Sequence, residues 1–306
     1  MTRIAFCFPG QGSQRAGMGR ELAEAFPEAA AVFDQANEGL GFDLRALCFD
    51  GTLEQLSATE ITQPALVAAS LAALRALEAH SGLRADVVVG HSVGEYSALA
   101  AAAAAPETDL LRLVHRRGQV SAGAGAGGAM AAVLKLDDER VEQLCAGQGD
   151  VWPANYNCPG QVVISGTEAA VDAVSEAVRE EGGKVIRLKV AGAFHSPLME
   201  EAAGAFAADV AGVEFRGPQT AFMSTVTSEL ETVERIPQLL VDQLTAPVRF
   251  TQAVQSLVAD GVGCFVEVGP GGVLSGLIKR IDPSVRAISV ATPDELRAAE
   301  GVTADA

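Results

Sequence analysis

The fold is decided by a ten-residue stretch, Asp86-Val87-Val88-Val89-Gly90-His91-Ser92-Val93-Gly94-Glu95. A β-branched run enters a Gly-X-Ser-X-Gly turn, and an alanine-rich helical pattern follows from about Glu95 to Ala105. Strand, tight turn and helix together predict a strained backbone at Ser92, with its Oγ exposed at a helix N-terminus that favours negative charge. This arrangement suits an acyl-transfer nucleophile. The simpler alternative is a helix-capping serine in a turn of small residues.

Composition and charge argue against proteins that bind nucleic acid or membranes. The 306 residues are 49% hydrophobic and 20% charged, which is typical of a globular chain with one large domain or two unequal ones. A formal net charge of −17 argues against nucleic acid or an anionic membrane as partner. The alanine run Ala98–Ala105 is too short to span a membrane.

The cysteine pattern and the N-terminus indicate the compartment. Five scattered cysteines, with no C-x-x-C and no Cys/His cluster at metal-ligand spacing, predict a reduced protein without disulfides or structural zinc. The first residues lead directly into a strand pattern and lack the features of a signal peptide. We therefore expect a cytoplasmic protein that binds no metal and needs no cofactor.

The order of the elements predicts two domains. Ile4–Phe8 is an apolar run typical of a buried parallel strand, and the glycine-rich segment Ser121–Gly128 reads as a linker. Beyond that segment, the patterns follow the order β-α-β-β-α-β up to a strand over Lys184–Val190, which is the ferredoxin-like arrangement. We therefore predict a small inserted domain over 128–191 and a large α/β domain with a parallel sheet over 1–127 and 192–306.

Some boundaries follow from local signals. Glu21–Glu38 has the period of one helix, and Thr62 is a plausible N-cap for a following helix with Pro64 in its first turn. The polar tail after Pro293 is expected to fray.

A glycine-rich loop over 10–14 follows the first strand. Neither Gly-X-Gly-X-X-Gly nor Gly-Lys-Ser/Thr spacing is present, which argues against a nucleotide site. Glycines also allow the backbone to approach a substrate closely, and Gln11 could offer a donor there. The alternative is a flexible surface loop.

A serine nucleophile needs a base, and the chain has four histidines. We expect His80 and His115 at the surface, and His91 inside the turn with its side chain directed away from that of Ser92. His195 lies in a loop of small residues after a strand, so it is the best candidate by elimination. A histidine in a loop can equally be a structural hydrogen-bonding residue.

Seven short motifs add a family resemblance. They are Pro9-Gly10-Gln11-Gly12-Ser13-Gln14, Thr62-Gln63-Pro64-Ala65, Gly90-His91-Ser92-Val93-Gly94-Glu95, Arg117-Gly118, Gly192-Ala193-Phe194-His195-Ser196, Pro247-Val248-Arg249-Phe250 and Glu267-Val268-Gly269-Pro270-Gly271. With these motifs in this order, the chain from about Ile4 to Arg286 resembles malonyl-CoA:acyl carrier protein transacylases and the related acyltransferases of polyketide synthesis. The resemblance implies an α/β-hydrolase-like large domain with an inserted ferredoxin-like domain.

The resemblance also implies roles for individual residues. Ser92 would be the acylated nucleophile and His195 its base, oriented by the carbonyl of Gln243 in place of an acid. The oxyanion hole would consist of the amides of Gln11 and Val93. The substrate-binding residues would be Arg117, which would clamp the malonyl carboxylate, together with Gln63, Phe194 and Ser121. Taken alone, Arg117 could instead be a surface helix arginine like Arg112 and Arg116.

One position departs from the family pattern. Many relatives read Arg-Gly-X-X-Met-Gln, whereas this chain reads Arg117-Gly118-Gln119-Val120-Ser121-Ala122. A serine in place of methionine leaves more room, while Phe194 still favours malonyl over α-branched acids. We therefore expect malonyl-CoA as the main substrate, with tolerance for a small α-substituent.

Four functions remain open from the sequence. The first is malonyl transfer in fatty acid synthesis, and the second is a free-standing acyltransferase that serves a polyketide synthase. The third is a serine thioesterase or esterase, against which Arg117 weighs because a hydrolase of neutral esters has no use for a buried cation. The fourth is a non-catalytic module that binds a carrier protein, which intact Ser92 and His195 disfavour.

The resemblance implies acyl carrier protein as partner, and carrier proteins are typically acidic, as this chain is. Docking would then need a local basic rim at the mouth between the domains. The candidates are Lys184, Arg187, Lys189, Arg216, Lys279 and Arg280. We expect a monomer.

Overall fold

The computed structural model describes residues 2–124, 127–190 and 192–301. The described residues form two sheets from nine strands. In chain order the strands are β1 Arg3–Phe8, β2 Val87–Gly90, β3 Gly128–Leu134, β4 Val151–Cys158, β5 Gln161–Thr167, β6 Lys184–Arg187, β7 Ala221–Met223, β8 Val262–Val268 and β9 Arg286–Val290.

Helices surround the sheets. They are α1 Arg20–Ala25, α2 Pro27–Leu40, α3 Leu44–Asp50, α4 Thr59–His80, α5 Gly94–Ala101, α6 Glu107–Gly123, α7 Asp138–Gln148, α8 Glu168–Glu180, α9 Glu200–Ala211, α10 Ile236–Asp242, α11 Phe250–Ala259, α12 Val273–Ile281 and α13 Pro293–Glu300. Two short 3₁₀ turns cover Gln55–Ser57 and Pro197–Met199.

The large sheet is parallel and has the order β7-β2-β1-β8-β9. Helices cover both faces of this sheet, so side chains on both faces of the central strands are buried. The central strands are therefore continuous apolar runs, as is general for parallel sheets. The parallel strand predicted from Ile4–Phe8 is confirmed as β1. In-register pairing of Phe8 with Gly90 brings the glycine-rich loop after β1 beside the turn after β2.

The small sheet is antiparallel and has the order β4-β5-β3-β6. With α7 and α8 packed on one face, this is the predicted ferredoxin-like topology. The other face presents a small apolar cluster that includes Met130, Ala132 and Val163, with Phe194 packed against it. The sheet therefore has a second apolar face directed toward the segment that contains His195.

Backbone hydrogen bonds join the small sheet to the segment that precedes α11. The N–H of Tyr156 in β4 donates to the carbonyl of Val248, and the N–H of Val248 donates to the carbonyl of Ala154, both at 2.8 Å. The hydroxyl of Thr251 donates to the carbonyl of Tyr156 at 3.0 Å. β4 is thus held against the start of α11. The domain limits of 128–191 stay a prediction.

The predicted start of α4 is wrong. The helix begins at Thr59, and the Thr62 hydroxyl donates back to the Ala58 carbonyl at 3.0 Å instead of capping the N-terminus. Pro64 lies inside the helix and lacks the N–H that would bond to the carbonyl of Glu60. Nδ1 of His115 lies 3.1 Å from that freed carbonyl, so His115 is half-buried and not at the surface as expected.

Three other local predictions need correction. The helix predicted over Glu21–Glu38 is two helices, because Phe26 is extended before Pro27. Pro293 does not open a frayed tail, since α13 buries Leu296 and Ala299 in the main core. The strand predicted to Val190 ends earlier, at Arg187.

The predicted linker over Ser121–Gly128 is wrong at its start. α6 continues to Gly123, and Ser121 is buried in its last turn. Tertiary contacts therefore hold this glycine-rich segment in a helix despite its low helix propensity. Residues 125 and 126 of the predicted linker lie outside the described residues.

Candidate active site

The turn between β2 and α5 has the geometry of a nucleophile elbow. Ser92 has φ +51°, a strained value for a residue with a side chain. A Cβ on Gly90 would lie 2.1 Å from the backbone of Glu95, and a Cβ on Gly94 would lie 2.1 Å from the carbonyl oxygen of Phe8. The two glycines are therefore needed for the close approach of strand, turn and helix.

Ser92 and His195 form a Ser-His dyad. Ser92 Oγ lies 2.8 Å from His195 Nε2, and His195 Nδ1 lies 2.8 Å from the carbonyl oxygen of Gln243 and 3.2 Å from that of Ala246. A carbonyl can only accept, so Nδ1 carries the proton and Nε2 is free to accept from the serine hydroxyl. His195 also has a positive φ, +57°, which sequence patterns give no means of anticipating.

The surroundings of His195 keep its ring neutral. Burial, followed by the positive charge of Arg117, lowers the pKa of His195 to about 3, against the support of the carbonyl hydrogen bonds. The imidazole is therefore available as a base across the neutral range. The His195 backbone N–H also donates to the carbonyl of Leu244 at 3.1 Å, which ties the loop to the end of α10.

Arg117 extends from α6 into the same site and is only 5% exposed. Its Nη1 donates to Gln63 Oε1 at 2.8 Å, and its Nη2 donates to Gln243 Oε1 at 3.0 Å and to Ser92 Oγ at 3.4 Å. Each of these acceptors, within the described part of the chain, is a neutral oxygen. Burial lowers the pKa of Arg117, but a guanidinium stays protonated at neutral pH. The site therefore holds a buried cation next to the nucleophile.

A cavity of about 400 Å³ connects these groups and lies between the two sheets. Seven of the nine residues predicted for the site line it: Gln11, Gln63, Ser92, Arg117, Ser121, Phe194 and His195. The other two lie behind its wall. Val93 is the buried residue just before α5, and Gln243 is fully buried behind His195. The small domain contributes Met130, Ala132 and Val163 to the wall.

His91 has a partner that the sequence did not indicate. Its ring lines the cavity, and Nε2 lies 2.9 Å from Oδ1 of Asn157, at the end of β4. Burial lowers the pKa of His91, so the ring is neutral and donates to the amide oxygen. This bond joins the elbow to the small domain.

Glu95 is the other residue that sequence reasoning missed. It is fully buried in the first turn of α5 and accepts from the backbone N–H of Thr225 at 2.6 Å and from Nε2 of Gln243. The available signal was that Glu95 is the one acidic residue in an otherwise uncharged stretch from Gly90 to Ala105. Because a carboxylate is rarely buried without partners, an acid in an apolar helix predicts buried hydrogen-bond donors around it.

A family model described as acyl transferase domain matches residues 5–293. The chain belongs to this acyltransferase family. Among curated relatives, the acyltransferase is 42% identical over 310 residues to malonyl CoA-acyl carrier protein transacylase of Bacillus subtilis, covering 98% of this chain and 96% of the relative.

Solved structures agree. The acyltransferase superposes with TM-score 0.95 on the malonyl-CoA:acyl carrier protein transacylase of Xanthomonas oryzae pv. oryzae, at 43% identity, covering 99% of this chain and 98% of the other. It is also similar, at 40% identity and TM-score 0.94, to a malonyl-transacylase in complex with its type II PKS acyl-carrier protein, covering 98% of this chain and 100% of the other. The predicted family and two-domain fold are confirmed.

The basic residues predicted to form a docking rim do not lie together in the structure. Lys189 lines the cavity, and Arg280 on α12 donates to Gln161 Oε1 at 2.6 Å, so both lie near the cavity walls. Arg187 is paired with Glu168 and Asp172 of the acyltransferase's α8. Arg216 is tied through its backbone N–H to the carbonyl of Ala104, at the end of the connection after α5.

The described residues contain neither a membrane-spanning helix nor a cluster of metal ligands. In the acyltransferase, residues 2–124, 127–190 and 192–301 include no helix long and apolar enough to cross a membrane. The same ranges contain no group of three or more His, Cys, Asp or Glu side chains arranged to hold a metal ion.

Proposed function

We propose that this acyltransferase moves a malonyl group from coenzyme A to the phosphopantetheine thiol of acyl carrier protein through a malonyl-Ser92 intermediate. The observation that carries the proposal is the position of Arg117. A buried guanidinium whose acceptors are neutral oxygens lies 3.4 Å from the Ser92 Oγ. An acyl group attached to Ser92 that ends in a second carboxylate would meet a bidentate donor there.

The first half-reaction acylates Ser92. His195 Nε2 takes the hydroxyl proton as Oγ attacks the thioester carbonyl, and the C–S bond then breaks. The imidazolium returns this proton to the departing sulfur, which leaves as the free thiol of coenzyme A. The Gln243 carbonyl accepts from Nδ1–H and so holds the ring in the required tautomer and stabilises the imidazolium.

The second half-reaction reverses these steps with a different thiol. The carrier thiol gives its proton to His195 Nε2 and attacks the ester carbonyl, and the bond to Ser92 Oγ breaks. His195 then returns the proton to Oγ. Because each proton is passed on and returned, the dyad finishes in its starting state.

We assign the oxyanion hole to the backbone N–H groups of Gln11 and Val93. Val93 immediately follows Ser92 at the N-terminus of α5, and Gln11 lies on the loop that follows β1 and lines the cavity. Each such donor stabilises the tetrahedral oxyanion by roughly 3 kcal/mol. Gln63 holds the Arg117 side chain from the opposite side.

The names of the relatives support acyl carrier protein as the partner. The pathway that we propose is fatty acid synthesis. The second candidate is an acyltransferase that serves a polyketide synthase, favoured by the likeness to the malonyl-transacylase solved with a PKS carrier protein. We place carrier docking at the mouth of the cavity near Lys189 and Arg280. We further propose a cytoplasmic monomer that requires no cofactor.

The first prediction separates a transferase from a thioesterase. With malonyl-CoA and no carrier, release of coenzyme A should stop after one equivalent per enzyme, because water cannot replace the carrier thiol. Addition of carrier protein should restore turnover. Thiol release followed in a stopped-flow instrument measures both phases. Continued release to free malonate without carrier would contradict the proposal and support a hydrolase.

Ser121 and Phe194 should determine which acyl groups the enzyme accepts. Ser121 is buried in the last turn of α6 and lines the cavity, and Phe194 lines it from the small-domain side. In competition, malonyl-CoA should be used in preference to methylmalonyl-CoA, with measurable use of the latter. Ser121→Met should reduce methylmalonyl loading by about tenfold, because the larger side chain would fill the room that the serine leaves, and one methylene group in a substrate pocket changes binding by about 1–3 kcal/mol. A wild-type preference for the branched donor would contradict this assignment.

A further inference from the structure

Glu95 takes no direct part in the transfer steps at Ser92 and His195, although it is a fully buried carboxylate three residues after the nucleophile. Its Oε1 accepts from the backbone N–H of Thr225 at 2.6 Å, the Thr225 hydroxyl at 2.8 Å and the Ser224 hydroxyl at 3.2 Å, and its Oε2 accepts from Nε2 of Gln243. All of these partners donate. An ionised carboxylate, which can only accept, satisfies every one of them.

Gln243 links this carboxylate to the reacting groups. Its Nε2 donates to Glu95 and to the backbone carbonyl of Ser92 at 3.2 Å, while its Oε1 accepts from Arg117 Nη2 at 3.0 Å. Its backbone carbonyl accepts from His195. A reversed side-chain amide would place an NH₂ group against the guanidinium and an oxygen against the carboxylate. Both contacts would be repulsive, so the charges on either side select one orientation.

We propose that Glu95 is a positioning residue for acyl transfer: it fixes the Gln243 amide so that its oxygen faces Arg117 and aligns the guanidinium for the substrate carboxylate. This inference rests on the proposed function, because the alignment matters only for an acyl group with a second carboxylate. Glu95 itself touches neither Arg117 nor the cavity surface, so it acts through Gln243.

The protonation state of Glu95 gives the network a distinct pH signature. Burial raises the pKa of Glu95 to about 7, and the hydrogen bonds from Thr225, Ser224 and Gln243 oppose that rise. Within the described residues, the other ionisable groups that act on Glu95 are Arg117, on α6, and the buried Tyr96 beside it. Protonation of Oε2 would direct an O–H donor at Nε2 of Gln243, which can only donate, and would break the contact that fixes the amide. A proton on Oε1 would face the Thr225 N–H, which can only donate, and would need one of the two hydroxyls to turn and accept.

The network requires the carboxylate, so malonyl loading should fall as the pH drops through about 7. His195, whose pKa is about 3, is still neutral there and does not cause the loss. A fall in malonyl loading as the pH drops through about 7 would therefore report protonation of Glu95 and not of His195.

The test compares Glu95→Gln with Glu267→Gln. Glu267 is also a fully buried glutamate with a raised pKa; it accepts from Ser275 and does not line the cavity, so it controls for the loss of a buried carboxylate. Loading of malonyl-CoA and of acetyl-CoA is measured for each intact protein against pH. Glu95→Gln should lower the malonyl-to-acetyl preference by about tenfold and abolish the fall in loading near pH 7.

Glu267→Gln should keep both the wild-type preference for malonyl over acetyl and the fall in loading near pH 7, even if its melting temperature is lower. If wild-type enzyme does not load malonyl, the proposed function fails. If wild-type enzyme loads malonyl but Glu95→Gln keeps the wild-type preference and pH profile, the inference about Glu95 fails. Should Glu95→Gln not fold, Gln243→Met provides the second test, because it removes the amide but retains the carbonyl that holds His195. Unchanged preference in that variant would overturn the inference.

Discussion

Ser92→Ala should lower malonyl transfer to carrier protein by about ten thousandfold or more, and the protein should gain no malonyl group when mixed with malonyl-CoA. The reason is the loss of the Oγ that lies 2.8 Å from His195 Nε2. No other hydroxyl within the described residues is hydrogen-bonded to that nitrogen. Steady-state transfer rates, with carrier consumption followed by mass spectrometry, measure the effect.

Ser97→Ala is the matched control for this variant. Ser97 lies on the same helix, is fully buried, and its hydroxyl has no hydrogen-bond partner among the described residues. Removing an unpaired buried hydroxyl is expected to be neutral or slightly stabilising, so transfer should stay near the wild-type rate. Substantial transfer by Ser92→Ala, with Ser97→Ala unchanged, would show that Ser92 is not the nucleophile.

Arg117→Ala should reduce malonyl loading by about one hundred- to one thousandfold, because a buried charge pair whose cation is removed costs about 2–5 kcal/mol or more. Loading of acetyl-CoA should fall much less, since an acetyl group has no carboxylate to be held. The reversed preference is the diagnostic result, because general damage to the site would lower both rates. Single-turnover loading of the two donors at the same pH measures the ratio.

The neighbouring arginine supplies the control for this second variant. Arg116 is on the same helix but is exposed, and its Nε lies 3.1 Å from Asp209 at the surface. Exposed pairs of this kind contribute little, so Arg116→Ala should load malonyl at close to the wild-type rate. An Arg117→Ala protein that still prefers malonyl over acetyl would contradict the clamp.

Helical periodicity indicates that Arg117 is buried, although the residue taken alone could be a surface arginine. On α6, Leu110, Val114, Arg117 and Ser121 recur at the spacing of one helix face, and all four are buried. Arg112 and Arg116 fall on the opposite, exposed face. A cation on the apolar face of an amphipathic helix predicts a buried partner or ligand, so periodicity alone separates this arginine from its neighbours.

Other features of the site depend on contacts between residues far apart in the chain, so local sequence patterns could not predict them. The carbonyl of Gln243 reaches His195 because the loop before Ser196 is tied to the end of α10. Likewise, the continuation of α4 through Pro64 is supported by His115, which lies fifty-five residues after Glu60 in the sequence. Sequence patterns predicted the other eight strands because apolar runs are local properties, but they did not predict β9.

The C-terminal helix shows a signal that was present but misjudged. Thr292 caps α13 by accepting from the N–H of Glu295, and Pro293 occupies the first turn, where its missing N–H costs nothing. Leu296 and Ala299 then supply the apolar face that packs on the main core. Polar composition alone predicted fraying, whereas the capping residues and the spacing of two apolar positions indicated a docked helix.

Buried polar groups explain why the two domains meet in one arrangement at the site. His91 bonds to Asn157, and β4 exchanges backbone hydrogen bonds with Val248, so the elbow and the small sheet share one wall of the cavity. Unmade bonds of this kind would leave buried donors and acceptors unsatisfied, at about 1–3 kcal/mol for each group. The geometry around Ser92 is therefore specified by polar pairing as well as by apolar packing.

The central claim is that Ser92 carries the malonyl group while Arg117 holds its free carboxylate. The most direct test is to mix the protein briefly with malonyl-CoA, quench with acid and map the adduct by peptide mass spectrometry. We predict one malonyl group per chain, attached to Ser92, and its near-absence in Arg117→Ala at the same time point. A malonyl group on any other residue, or equal loading of the Arg117→Ala protein, would contradict the account.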